Sequence, residues 1–338
     1  MRRLALLLLV AATAFAGVMW DARQNLLEVW SLKQETLIPV MPGQSIKNVI
    51  HAVEREGLIR QGRAGFYAAI YLRLKGLGSA MRAGEYQVKP GITTLRFLQQ
   101  VTSGRTFFHQ VTLIEGWRFS QALKAIQAHP TVRTTLKTNK PAEIMKLLDS
   151  PGVPSEGSLL PETYHFARGA TDISLLRQMR QSMKNVLARE WERRETNLPY
   201  RKPMDALIMA SIVEKETGRA AERKEIAGVF VRRLLKKMKL QTDPTVIYGL
   251  GERFDGNLRR RDLRRDTPYN TYTRYGLPPT PICLPGQAAI HAALNPEPGN
   301  ALYFVARGDG SHYFSATLDQ HNAAVREFQI KPSKKKKT

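Results

Sequence analysis

The stretch Pro203-Met204-Asp205-Ala206-Leu207-Ile208-Met209-Ala210-Ser211-Ile212-Val213-Glu214-Lys215-Glu216-Thr217-Gly218 decides how the chain must be read. From Ala206 to Val213 only Ser211 is polar, so a helix over Met204 to Thr217 leaves almost no face for water. Such a helix has to sit at the centre of a globular domain. Gly218 suits the left-handed residue that ends a helix, which places Glu214 and Glu216 at a C-terminus. Glu216 shares its face with Met209, Ile212 and Val213, whereas Glu214 neighbours Ala210, Ser211 and Gly218. An apolar surrounding and the negative helix end both disfavour ionisation, and both raise a carboxyl toward the range useful to a general acid. Glu216 therefore has the better setting for proton donation. The plainer alternative is two exposed helix-end carboxylates paired with Lys215, Arg219 or Arg223.

Working outward, the chain has 338 residues, enough for two globular domains and short appendages. An apolar share of 43% is that of an ordinary globular protein. Charge is the outlier. With 52 Lys and Arg against 29 Asp and Glu, the formal net charge is +23, which implies an anionic partner such as nucleic acid, lipid headgroups or an acidic wall polymer. No zinc-finger or RNP sequence accompanies the charge, so nucleic acid is disfavoured. Cys283 is the single cysteine; it cannot form an internal disulfide or a cysteine-based metal site, and it reads as a small packing residue. His312 and His321 lack the spacing of a metal motif and read as structural hydrogen-bonders. No cofactor is expected.

Arg2 and Arg3 precede Leu4 to Trp20, an uncharged run of about the minimum length for a membrane-spanning helix. The flanking charges and Trp20 favour an N-terminus inside and a body outside. Residues 1–20 are expected to be a retained transmembrane signal-anchor, since no polar region closes the run; cleavage after Ala14-Phe15-Ala16 is the alternative. Residues 21–35 are polar and amphipathic, and read as a linker.

The fold expected for the remainder is α+β. In 36–109 the elements are a strand at Thr36 to Val40, a helix from Ile46 capped by Ser45, a helix around Arg63 to Lys75, a strand at Gly84 to Val88 and a helix at Thr94 to Ser103. The order β, α, α, β fits a small LysM-like module; the alternative is a generic packing domain without a ligand. Residues 110–330 form a larger catalytic domain, in which Asp172 to Arg194 is an amphipathic helix with a basic outer face. Lys334 to Lys337 close the chain as a basic, disordered tail over 331–338.

Three segments beyond the central helix carry a resemblance: Leu240-Gln241-Thr242-Asp243-Pro244-Thr245-Val246-Ile247-Tyr248-Gly249, Pro268-Tyr269-Asn270-Thr271-Tyr272 and Gly276-Leu277-Pro278-Pro279-Thr280-Pro281-Ile282. Together with Ala210 to Thr217 and Leu302 to Ala306, they resemble the YceG-like endolytic murein transglycosylases (MltG). The resemblance runs from the anchor to about His321. It implies that Glu216 stands at the family's catalytic glutamate, and that Glu216-Thr217 is similar to the Glu-Ser pair of other lytic transglycosylases. It also implies cutting within newly made glycan strands near the membrane, alongside peptidoglycan synthases. At Glu156 to Tyr164 the sequence departs from the family, with Leu160 and Glu162 where an aromatic residue and an Asp are frequent.

Beside the resemblance, each segment has its own reading. Asp243 before Pro244 is a good helix start, and that role competes with sugar binding. Gln241, Asn270 and Tyr272 supply the neutral hydrogen-bonding groups and ring face that a glycan cleft needs, although a turn also explains Asn270. Glu156 lies in a tight loop held by Gly157 and Pro161, and reads either as part of that loop or as a substrate contact. The expected site is thus catalytic Glu216 with Glu156, Gln241, Asp243, Asn270 and Tyr272 on the substrate. A hydrolytic muramidase using Glu214, Glu156 or Asp243 as second carboxylate, and a noncatalytic wall-binding scaffold, are the competing functions.

Overall fold

The computed structural model describes residues 2–330 and divides into two compact units. The smaller runs from the N-terminus to His109 and takes in His165–Arg168; the larger comprises the rest. The expected basic tail at 331–338 lies outside the described residues.

With nothing to break it after Leu4 to Trp20, the first helix, α1 (Arg2–Leu27), continues into the polar stretch. It is long and apolar enough to cross a membrane, and its apolar window is unburied, as fits a single-pass anchor. Strand β1 (Thr36–Val40), α2 (Ile46–Arg55), α3 (Ala64–Leu74), β2 (Gly84–Val88) and α4 (Thr94–Ser103) follow. Ser45 caps α2, its hydroxyl accepting from the Asn48 N–H at 3.3 Å, as expected of serine at that position. The strands pair antiparallel with Ile38 opposite Tyr86, and their inner residues meet Val49, Ile50, Phe97 and Leu98 in one buried core. His165–Arg168 belongs here because Arg168 and His109 both pair with Glu85, a carboxylate only 4% exposed.

Residues 21–35 do not behave as a free linker. The Tyr67 hydroxyl donates to Asp21 at 2.7 Å, the Arg63 N–H donates to Asn25 Oδ1 at 3.1 Å, and the Trp30 indole donates to the Thr94 hydroxyl at 3.2 Å. Trp30 is 2% exposed and stacks at a tilt on Phe97. The physical reason is that Leu26, Trp30 and Leu32 carry apolar surface that the small core takes up.

The second sheet pairs β3 (His109–Thr112) with β4 (Thr163–Phe166), and the division between units falls inside each strand. Between and after them come α5 (Phe119–Gln127), α6 (Pro141–Leu147), α7 (Asp172–Glu192), α8 (Pro203–Glu216), α9 (Arg223–Leu235), α10 (Asp243–Leu250), α11 (Arg260–Arg264) and α12 (Gln287–Leu294). The hairpin β5 (Tyr303–Ala306) and β6 (His312–Ser315), then α13 (Leu318–Val325), complete the unit. As its composition demands, α8 is the central helix, packed on α7, α9, α10 and α12. The one polar residue in its apolar run is satisfied: the Ser211 hydroxyl donates to the Ile208 carbonyl at 2.7 Å and accepts from the Ile282 N–H at 3.0 Å. The Cys283 thiol donates to the Ser211 carbonyl at 3.3 Å, so the lone cysteine is a packing residue.

Trp30 gives a direct check on the built-in stretch. Trp30→Ala should cost the smaller unit about 3–5 kcal/mol, read as an earlier first transition in denaturant unfolding of the detergent-solubilised chain. A true linker residue would change stability by only about 0.5 kcal/mol.

Candidate active site

The end of α8, one face of α9, the turn 240–243, Tyr272, the β5–β6 hairpin and α13 enclose an open cleft of about 550 Å³ in the larger unit. Glu216 lies in its wall. Helix α8 ends at Glu216 because Thr217 turns extended (φ −140°, ψ 136°). Gly218 does not take the left-handed conformation expected of it; the Thr217 hydroxyl instead accepts the Arg219 N–H at 2.9 Å, steering the chain away.

Burial pushes the Glu216 carboxyl up to about 7; a hydrogen bond from the Thr242 hydroxyl opposes this, and the charge of Asp243 adds to it. The dominant cause is thus shielding from water rather than the helix terminus. Thr242 is itself fixed from three sides. Its N–H donates to the Thr271 hydroxyl at 3.0 Å, and its carbonyl accepts from the hydroxyls of Thr245 and Thr271. Thr242, not Asp243, is the N-cap of α10. Asp243, as the first helical residue, is free to accept the Tyr272 hydroxyl at 2.6 Å.

Gln241 adopts φ +52°, a conformation that costs a non-glycine residue energy and that clusters at functional sites. It is held by its N–H to the Thr271 carbonyl at 3.1 Å and by Arg233 Nη1 donating to its Oε1 at 3.3 Å. Glu216, Gln241, Asp243 and Tyr272, singled out from the sequence, therefore share one cleft.

Asn270 and Glu156 do not join them. Asn270 is 0% exposed, its amide donating to the carbonyls of Asp262, Leu263 and Arg265 while its Oδ1 accepts the Tyr272 N–H. It shapes the turn that presents Tyr272, and no polar group remains for sugar. Glu156 accepts the Phe119 N–H at 2.9 Å at the start of α5, where burial pushes its carboxyl up to about 7 against that bond and the Arg118 charge. Its loop is as tight as expected: Gly157 has φ +75°, and a Cβ there would sit 2.7 Å from the Pro281 ring. Glu214 faces away too. Its carboxylate, 5% exposed, accepts the Gly286 N–H at 2.9 Å and lies 3.7 Å from Arg223, so it is neither frayed nor exposed.

Sequence reasoning missed Thr242, although it stands between Gln241 and Asp243; a hydroxyl next to a positive-φ position gives no signal alone. Arg233 is hidden in the basic run Arg232 to Lys239. His312 does act as a structural hydrogen-bonder, pairing with Glu222 at 2.7 Å and pinning the hairpin to the turn after α8. His321 does not: neither ring nitrogen has a hydrogen-bond partner, and Nδ1 is shielded from water. Among the described residues no three His, Cys, Asp or Glu side chains converge as metal ligands would.

The sequence pattern of the YceG-like family matches residues 38–327. The chain is 32% identical over 310 residues to an endolytic murein transglycosylase of Bacillus subtilis strain 168, covering 86% of this chain and 84% of that one. It is 27% identical over 329 residues to an endolytic murein transglycosylase of Streptococcus pneumoniae strain D39, covering 87% of this chain and 58% of that protein. Among solved structures, a crystal structure of a YceG-like protein from Listeria monocytogenes superposes with a TM-score of 0.55 at 30% identity, covering 86% of this chain and 99% of the other. On its matched length and its identity to these relatives, the chain belongs to the YceG-like family.

Proposed function

We propose that the protein is an endolytic peptidoglycan lytic transglycosylase, cleaving the β-1,4 bond from MurNAc to GlcNAc within glycan strands and leaving 1,6-anhydroMurNAc ends. The observation that carries this reading is one carboxyl, Glu216, pushed up to about 7 in the wall of an open cleft that also holds Gln241, Asp243 and Tyr272. Protonated Glu216 donates to the glycosidic oxygen as the C1–O bond breaks, releasing the GlcNAc 4-hydroxyl. The MurNAc C6 hydroxyl oxygen then bonds to C1, and its proton returns to the Glu216 carboxylate. Atoms balance without water, so the enzyme is a lyase. A carboxyl near 7 suits both halves, since the same group must give a proton and take one.

Gln241 and Tyr272 offer the sugar an amide and a ring, and Thr242 orients the acid. For a two-carboxylate hydrolase, Glu214 and Glu156 are spent on backbone N–H groups elsewhere, which leaves Asp243, already bonded to Tyr272. The α1 helix anchors the chain in the cytoplasmic membrane, with the larger unit on the extracytoplasmic side, where nascent strands and their synthases are met. The β-α-α-β module serves as a LysM-like wall-binding accessory. In its favour is a groove of about 740 Å³ between the turn Met41–Ile46 and the segment from Ala69 to Ala83, lined by Gln44, Ser45 and Arg73.

Glu216→Gln should lower strand cleavage by at least roughly 10²-fold while strand co-sedimentation persists; comparable turnover in the variant would remove Glu216 from the chemistry. The pH profile separates the two neighbours. Activity of the free enzyme needs protonated Glu216, so kcat/KM should fall as pH rises through about 7. Asp243→Asn removes a charge that disfavours ionisation, so this limb should move to lower pH. Thr242→Val removes a bond to the carboxylate, so the limb should move to higher pH, and Thr242→Ser should restore it. Shifts of the same sign in Asp243→Asn and Thr242→Val would contradict the electrostatic account.

A further inference from the structure

Arg233, on α9, is 8% exposed and lines the cleft. Nε donates to the Leu302 carbonyl at 2.6 Å, and Nη1 donates to the carbonyls of Lys239 and Leu240 at 3.2 and 2.9 Å and to Gln241 Oε1. Every acceptor is neutral, so among the described residues this buried positive charge has no anion beside it. That is costly unless an anion arrives with a ligand. Among the described residues Nη2 has no hydrogen-bond partner, and it is not among the fully shielded atoms of this cleft-lining residue. The guanidinium lies 5.0 Å over the Tyr303 ring, and Tyr303 in turn stacks on His321 at 5.2 Å. Burial, then the Arg233 charge, keep the His321 imidazole below its usual range, and its Nδ1 is shielded from water while the residue lines the cleft.

We propose that Arg233 Nη2, with His321 on the wall of the same cleft, forms an anion subsite for a carboxylate carried on the 3-O-lactyl arm of MurNAc. The inference rests on the lytic reading above and deepens it by naming what orients the sugar. In a pyranose ring C3 lies across from the ring oxygen, so its arm leaves the edge opposite C1 and C5, where the chemistry occurs. Arg233 and Glu216 both line the cleft, so an arm held by Arg233 limits which edge of the ring can meet Glu216. Asp243 repels the same carboxylate, so the reversed ring is disfavoured. GlcNAc has no such arm, and the subsite thereby selects which of the two alternating linkages is cut.

The carboxylate has two sources: the lactyl group itself in peptide-free strands, or the stem peptide where the lactyl group is amide-linked. The test uses the detergent-solubilised full chain and three strand preparations: stem-bearing, peptide-free, and peptide-free with the lactyl carboxyls converted to carboxamides. Wild-type enzyme should favour the peptide-free carboxylate over the carboxamide about tenfold, mainly through KM, as one charge-assisted bond predicts. A preference for stem-bearing strands instead, equally lost in Arg233→Gln, would assign the carboxylate to the stem and still support the subsite. Because Arg233 also holds the turn 239–241, the readout is the substrate ratio, not overall activity. Arg233→Gln should bring the ratio to about one, Arg233→Lys should keep part of it, and His321→Ala, which leaves that turn intact, should lower it. A wild-type ratio near one with anhydro products intact overturns the subsite alone; no cleavage of any preparation overturns the lytic reading itself.

Discussion

Everything in the proposed chemistry depends on keeping one carboxyl out of water at the end of a helix that is apolar on all sides. Glu214 and Glu216 are two residues apart, roughly 200° around the helix, and the difference in fate is total. Glu214 turns into the packed side, where it accepts the Gly286 N–H and lies near Arg223, contacts that oppose but do not cancel the upward push of burial on its carboxyl. Glu216 turns to the cleft, where among the described residues the Thr242 hydroxyl is its single hydrogen-bond partner. One side of α8 thus uses a carboxylate to tie α12 to the core, and the other leaves a carboxyl poised to change its proton.

The cleft around it is built by indirection. Asn270 contacts no ligand-facing space, yet its four hydrogen bonds fix the turn that sets Tyr272 against Asp243. Thr271 and Thr245 fix Thr242, which fixes Glu216. Arg233 holds Gln241 in a backbone conformation that it would not choose alone. Preorganisation of this kind lets a single acid work, since no group has to reorient when charge develops at C1.

Local signals in the sequence carried the elements well. The all-apolar run named the central helix, Ser45 named the start of α2, and alternation at Thr36–Val40 named β1, because each depends on nearest neighbours or on one face of one element. Three readings needed tertiary context. Residues 21–35 look polar, but the core claims Trp30. Gly218 is permissive of a left-handed cap, but the Thr217 hydroxyl supplies another ending. Asn270 and Glu156 carry polar groups suited to sugar, but neighbouring backbone N–H and carbonyl groups consume them. A polar residue's type shows that it will be hydrogen-bonded; only the fold shows to what. Arg233 illustrates the same limit, since in a chain of net charge +23 one more arginine carries no signal until its burial is seen.

The central claim is that Glu216 serves as both acid and base while the sugar's own hydroxyl, held at high effective concentration, outcompetes water. The measurement that bears on it most directly is mass analysis of the fragments released from glycan strands digested in heavy-oxygen water. The account predicts 1,6-anhydroMurNAc ends free of label, with medium-length fragments appearing before small ones. Labelled reducing MurNAc ends as the main product would contradict it, and would make Asp243 the second carboxylate of a hydrolase.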